Sequence, residues 1–218
     1  MVHHGSTIPP LVGRTIGNGR LQILSVLGSG SNGVIFLAEG KIALDRTPKQ
    51  YAVKCLPKSE VGSRLHYLQH LEVRFHLTMT FHQSILPIHS VWEEDEYLFL
   101  VLKYCPGGDL FTFMSEHRTY RGNDMLVKSV FLQILDAVEA CHNMRIFHRD
   151  LKPENILCNE DGSKVYLCDF GLATERTHST SYGCGSSYYM SPGTLLHVLH
   201  TRYSPIFAAV YRMHYAEQ

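Results

Sequence analysis

Asp150, Lys152 and Asn155 lie close together in the run His148-Arg149-Asp150-Leu151-Lys152-Pro153-Glu154-Asn155, and Asp169-Phe170-Gly171 follows downstream. These residue types suit transfer of a phosphoryl group from a magnesium-bound nucleotide to a hydroxyl. The Asp150 carboxylate can accept the hydroxyl proton, a role typically worth about 10²–10⁴ in rate. Asn155 and Asp169 offer the hard oxygen ligands that magnesium prefers where it bridges nucleotide phosphates. Lys152 is spaced to neutralise the group in flight. Asp169 precedes an apolar Phe170 and a permissive Gly171, so its carboxylate can meet a metal while the ring packs inward and the backbone turns. His148 reads as a packed structural residue. The blander reading of Asp150, Asn155 and Asp169 as turn caps leaves their ordered occurrence unexplained.

A second group of residues can hold the nucleotide. Gly28-Ser29-Gly30-Ser31-Asn32-Gly33-Val34-Ile35 stands between two strand-like runs. The dinucleotide-binding form of G-x-G-x-x-G opens a helix instead, so the context favours a loop folded over phosphates. Alone, the motif would read as an ordinary glycine-rich hairpin. Tyr51-Ala52-Val53-Lys54 then sets a cation at the end of an apolar strand, where it can hold inner phosphates and pair with a helix carboxylate. Glu72 is the chosen partner, and Glu60 is the alternative. A solvated surface glutamate is the default for either.

These groups need elements to position them. Leu21–Leu27, Val34–Ala38 and Tyr51–Leu56 have strand character, as do Ile85–Trp92 and Tyr97–Leu102 on either side of the acidic turn 93–96. An antiparallel meander is expected. From Gly62 to about Thr80, Leu65, Leu68, Leu71, Phe75 and Met79 recur near the helical period. The run 103–108, with its Pro and two Gly, breaks the pattern as a hinge. A short helix over 109–115 is capped by Asp109, and a long one over 123–143 carries an apolar stripe of Leu126, Val130, Ile134, Ala137, Val138 and Cys141. Asn155–Cys158 and Lys164–Cys168 flank Asp161-Gly162 as a hairpin.

Composition narrows the class. The 218 residues are 44% hydrophobic and 18% charged, with twenty basic residues balancing twenty acidic ones. This is a globular composition with no bulk attraction to nucleic acid or anionic membrane, so neither is expected as a partner. The six cysteines are scattered without a C-x-x-C pair, which suits reduced thiols in cytoplasm or nucleus and argues against zinc. The N-terminus lacks the charged-then-apolar pattern of a secretory leader.

Read in order from Gly28 to about Pro192, the motifs resemble the eukaryotic protein kinase superfamily. Arg20–Gly28 and Gly183–Pro192 look like the fungal meiosis-repressing and nutrient-responsive Ser/Thr kinases. The resemblance implies an α+β, bilobal fold: a lead-in over 1–18, an antiparallel small lobe over 19–102, a partial, mainly helical large lobe over 103–192, and an atypical tail over 193–218. It implies ATP and Mg²⁺ as cofactors, with adenine against the Leu102–Cys105 hinge, where Lys103 replaces the Glu of many relatives. The implied ATP contacts are Leu27, Gly28, Ser29, Gly30, Ser31, Asn32, Gly33, Ile35, Ala52, Lys54, Glu72, Lys103, Cys105 and Leu157. Lys152, two residues after Asp150, is the pattern of kinases that act on Ser or Thr of protein substrates.

The polar segment 172–190 resembles an activation segment. A phosphate near Thr180, Ser181 or Tyr182, set by an upstream activating kinase, could pair with Arg149; an unmodified loop is the alternative. Ser186 matches the Ser/Thr that bonds back to the catalytic Asp and Lys. Ser191-Pro192-Gly193 departs from the family's acid-terminated pattern, and the Asp-x-Trp-x-x-Gly helix does not follow. The expectation is an incomplete large lobe whose stripe over 126–141 lacks cover. It keeps open a second reading, a catalytically impaired nucleotide-binding or interaction module.

Overall fold

The computed structural model describes residues 10–30, 33–42, 48–94, 96–176, 185, 186 and 189. Ser31, Asn32, Thr180 and Ser181 lie outside them, as does the tail beyond Gly193. The chain forms two compact units: residues up to Gln69 with Pro87–Tyr104, and His70–Leu86 with the chain from Cys105 onward.

The first unit is built on a six-stranded antiparallel sheet. Its strands are β1 (Thr15–Ile16), β2 (Leu21–Gly30), β3 (Gly33–Gly40), β4 (Lys49–Pro57), β5 (Ile88–Glu94) and β6 (Tyr97–Lys103), in the spatial order β1-β2-β3-β4-β6-β5. Alternation divides the sheet's two faces. Val34, Phe36 and Ala38 of β3, Tyr51, Val53 and Cys55 of β4, and Phe99 and Val101 of β6 close one core with Leu21 and Ile23. Register then aligns Ile35 with Lys54 and Lys54 with Leu100, and pairs Ala52 with Leu102, on the opposite face. Three of the expected nucleotide contacts, Ile35, Ala52 and Lys54, therefore share one face because the other is committed to the core.

The expected lead-in is partly structural. Leu11 and Ile16 are buried in that core and β1 pairs with β2, so Thr15 and Ile16 belong to the sheet and Leu11 to its core. Two residues of strand are too short to show a period, which is why the sequence pattern misses them.

Helix α1 (Arg64–Met79) forms where the apolar spacing predicts one, but its stripe is buried only in part. Leu65 is 60% exposed and Leu68 39%, whereas Glu72, Phe75, His76 and Met79 are buried. Phe75 and Met79 join the second unit's core, and the first turns of the helix extend past it. Ile85 and Leu86, expected to open a strand, also belong to that unit. Leu86 N donates to Leu167 O, and Leu167 N donates to Ser84 O, so this apolar pair is used before β5 starts.

The second unit continues with α2 (Leu110–Glu116) and α3 (Asp124–Asn143). Asp109 Oδ1 accepts from Thr112 N at 2.9 Å, and Asn123 Oδ1 accepts from Leu126 N at 3.1 Å, each satisfying a donor the helix itself leaves open. A 3₁₀ turn (Pro153–Asn155) leads into the hairpin of β7 (Ile156–Cys158) and β8 (Val165–Leu167). The expectation that the α3 stripe lacks cover is not met. Val130, Ile134, Ala137, Val138 and Cys141 are buried with Leu110, Phe113, Ile146, Val165 and Leu167, and Leu126 is partly buried. Helix α2 and the short elements that follow α3 supply this cover. The exposed apolar residues of α3 are Met125, Leu132 and Leu135, on its other side.

Candidate active site

Asp150 is the centre of the site, and its loop is fixed before its side chain is. Phe147 and Thr174 exchange two backbone hydrogen bonds, of 2.8 and 2.9 Å. His148 donates from Nε2 to Cys168 O at 2.9 Å and accepts at Nδ1 from Asp150 N at 3.3 Å. Those two contacts select the neutral Nε2–H tautomer. Burial lowers the pKa of His148 accordingly, against smaller opposing effects of the Cys168 carbonyl, Asp169 and Asp150. Arg149 donates from Nε to Leu172 O at 2.6 Å. The catalytic segment is thus tied to residues 168–174 by main chain and by two consecutive side chains.

Both segments contain strained backbone. Arg149 has φ 67° and Asp169 φ 63°, in the left-handed region that costs energy for any residue with a Cβ. Such conformations persist only where the surroundings over-determine them, and they concentrate at functional sites.

The Asp150 carboxylate accepts four donors, two on each oxygen. Oδ1 takes Ser186 N at 2.9 Å and Ser186 Oγ at 3.0 Å. Oδ2 takes the Lys152 ammonium at 2.7 Å and Asn155 Nδ2 at 3.0 Å. Lys152 Nζ also donates to Ser186 Oγ at 2.9 Å, closing a ring of three side chains. Burial pushes the Asp150 pKa up, but Lys152 and the two Ser186 donors outweigh it and hold the carboxyl below its usual range. Asp150 is therefore an ionised acceptor at neutral pH.

Asn155 connects this ring to the second motif. Its Nδ2 donates to Asp150 O at 2.8 Å as well as to Oδ2, and its own carbonyl accepts Cys168 N at 2.9 Å. With the amide nitrogen committed to Asp150, Oδ1 is the Asn155 atom available as a metal ligand. Cys168 directly precedes Asp169, so the hydrogen bond to Asn155 sets where the second oxygen donor emerges. The donor set of one amide oxygen and one carboxylate suits a hard cation that keeps phosphate and water ligands. Among the described residues, no group of three or more His, Cys, Asp or Glu forms a metal site.

His76 is the residue that reading the sequence missed. Its ring centroid lies 5.1 Å from that of Phe170, and the ring of His148 lies 5.1 Å from Phe170 as well. His76 Nε2 donates to Leu86 O at 2.7 Å. Phe170, fully buried, is held by two imidazoles, each anchored to a backbone carbonyl. The available signal was spacing: His76 follows Glu72 by one helical turn and so shares its buried face.

The other expected site residues divide between the units. Leu27, Gly28, Ser29, Gly30, Gly33, Ile35, Ala52, Lys54 and Lys103 lie in the first; Glu72, Cys105 and Leu157 lie in the second with Asp150, Lys152, Asn155, Asp169 and Ser186. Lys54 and Glu72 are both buried, at 8% and 6% exposure, which removes Glu72 from the class of ordinary surface glutamates. Glu60, the alternative, is exposed. The glycines of the loop are not equivalent. Among the described residues, a Cβ on Gly28 or Gly30 would meet no atom within 4 Å, whereas on Gly33, at φ 122°, it would lie 2.4 Å from Cys55 O. Gly33 is required by the fold itself, while Gly28 and Gly30 leave open space beside the backbone.

Comparison with known proteins agrees with this geometry. The family model for the protein kinase domain matches residues 21–211, continuing past Gly193 where the motif-by-motif resemblance stops. A negative regulator of sexual conjugation and meiosis from Schizosaccharomyces pombe is 45% identical over 182 residues, which are 84% of this chain and 38% of that protein. The serine/threonine-protein kinase ksp1 of the same yeast is 36% identical over 197 residues, 86% of this chain and 40% of its own length. The serine/threonine-protein kinase SKS1 of Saccharomyces cerevisiae is 38% identical over 147 residues, covering 67% of this chain and 28% of that protein. The chain thus spans well under two thirds of the length of these relatives.

Proposed function

The chain belongs to the protein kinase domain family, and from that premise we propose that it transfers the γ-phosphoryl group of ATP to Ser or Thr hydroxyls of protein substrates. The observation that carries this reading is the ring of Asp150, Lys152 and Ser186, with Asn155 bonded to the same carboxylate. Asp150, kept ionised by its donors, accepts the proton of the substrate hydroxyl. Lys152, held 2.7 Å from Asp150, lies beside the incoming oxygen and offsets negative charge on the group transferred. Asn155 and Asp169 would hold Mg²⁺, which when bound neutralises the phosphate oxygens.

ATP is the phosphoryl donor in this reading. In the first unit, Gly28 and Gly30 let the loop backbone approach its phosphates, and Lys54 is the cation offered to them; in the second, Cys105 and Leu157 are the residues offered to the base. The Lys152 pattern and the relatives named as serine/threonine kinases favour Ser and Thr acceptors.

The test is transfer of labelled phosphate from Mg-ATP to a mixed Ser/Thr and Tyr peptide pool, with Asp150→Asn as control. Labelling of Ser or Thr that is lost in the variant supports the reading. Equal background in both proteins rejects it.

A further inference from the structure

The edges of the six-stranded sheet are β1 and β5, at opposite ends of its spatial order, yet the sheet curls until they meet. Gly17 N, one residue past β1, donates to Glu94 Oε1 at the end of β5 at 2.6 Å. A Cβ on Gly17, at φ 62°, would fall 2.3 Å from the Trp92 ring, so the edges are locked together at that point. Beside this seam lies a cavity of about 270 Å³, lined by the first unit alone. Its floor is apolar, made by Leu11 and Ile16 with Tyr97 and Phe99 of β6, whose ring centroids are 6.0 Å apart. Phe99 is paired with Cys55 and Leu100 with Lys54, so the cavity belongs to the sheet face away from the expected nucleotide contacts. Its rim is charged, with Arg14 ahead of β1 and Glu94 and Glu96 at the β5–β6 turn.

The fold does not use these rim charges itself. Lys58 pairs with Glu93 at 2.8 Å, and its N donates to Glu96 O at 2.7 Å, which fixes the turn but leaves the Glu96 carboxylate without a partner among the described residues. Glu94 commits one oxygen to Gly17 N and keeps the other. The Arg14 guanidinium likewise has no partner among the described residues. We propose that this cavity is a docking site for an arginine side chain of a partner protein. A guanidinium carries only donors, in a planar fork that suits carboxylates presented together. Its head meets Glu94 and Glu96 and stacks on the Tyr97 ring, while its apolar stem covers Leu11 and Ile16. Arg14 then takes the carbonyl oxygens that any peptide backbone carries beside such a side chain. The cavity is smaller than the roughly 300–1,000 Å³ of small-molecule sites, which fits one long side chain and its flanking amides better than a cofactor. The bonds of Gly17 and Lys58 hold its walls in place beforehand, so little ordering opposes binding. The inference is independent of the kinase reading above.

The test titrates the isotope-labelled full chain with N-acetyl-arginine methylamide and follows backbone amide resonances by NMR. Saturable shifts are expected at Gly17, Glu94, Glu96 and Tyr97, and added salt should weaken them. N-acetyl-citrulline methylamide keeps the shape without the charge and should bind about tenfold more weakly, since both ion pairs are lost. Glu96→Gln should weaken arginine binding about fivefold, the upper end for one exposed pair, and leave Tm unchanged because that carboxylate bonds nothing in the fold. Equal binding of the arginine and citrulline probes, undiminished binding to Glu96→Gln, or shifts confined to other residues overturns the inference. Absence of shifts at about 20 mM probe, which nearly fills a site of millimolar affinity, overturns it as well. Tighter binding of the lysine analogue would also overturn it, because a point charge would then suffice without the fork.

Discussion

Replacing Asp150 with Asn tests the chemistry and the packing of the site together. The carboxylate accepts Ser186 N and Oγ on one oxygen and Lys152 and Asn155 on the other. An amide has one acceptor oxygen, so whichever way it turns, its NH₂ faces two donors. Two of the four hydrogen bonds are lost, and Lys152 loses its counter-charge. A bond to a charged group contributes about 1.5–3 kcal/mol. The side chains of Asp150 and Lys152 are 12% and 21% exposed, so solvent screening trims the total. The expected loss of stability is about 2–4 kcal/mol, or roughly 4–16 °C in Tm for a domain of this size. Transfer should fall by about 10²–10⁴ as the base is removed. Calorimetry and peptide phosphorylation on the same preparation measure both. Undiminished transfer would refute the role of Asp150 as base. Lost transfer with an unchanged Tm would instead refute the four-donor geometry.

His76→Ala removes a buried ring from Phe170 and the hydrogen bond to Leu86 O, and should cost about 2–4 kcal/mol in denaturant unfolding; a loss under 1 kcal/mol would mean that the stack is incidental. Gly185→Ala sets a Cβ 2.5 Å from Arg149 O at a positive φ, so the segment must withdraw from Asp150. Peptide transfer should drop at least tenfold while the far-ultraviolet dichroism stays that of the parent, and a fully active variant would show that the contact is dispensable. His148 is buried neutral with a lowered pKa, whereas the unfolded chain takes up its proton near pH 6.5. The unfolded state then binds more protons, so this stabilisation is complete above about pH 6.5 and is lost as pH falls through the lower folded value. His148→Leu should flatten that limb of the stability–pH curve, and an unaltered slope would count against it.

Much of the site was legible because its signals are local. Asp109 and Asn123 cap the helices that their types announce, since a cap needs only the next three residues. The strand containing Lys54 follows from a short apolar run and nearby turn residues. The pattern failed where burial is decided by distant chain. Leu65 and Leu68 fit the stripe of α1 yet stay exposed, because the core stops at Phe75 and Met79. Ile85 and Leu86 have strand composition, but their partner is Leu167, far along the chain.

The sequence by itself determined which groups are available for chemistry: a carboxylate, a lysine and an amide within one short loop, a second carboxylate before Phe170, and a glycine-rich turn ahead of Lys54. These follow from residue type and order, which no folding event changes. Only the tertiary structure decided how they are used. Ser186 reaches Asp150 across 36 residues, and His76 reaches Phe170 from helix α1. Asp150 is held ionised because the fold sets Lys152 and Ser186 against it more strongly than burial opposes the charge. Each of these depends on the path of the chain through space, since hydrogen bonds and ring contacts act over a few ångströms and are indifferent to separation in sequence.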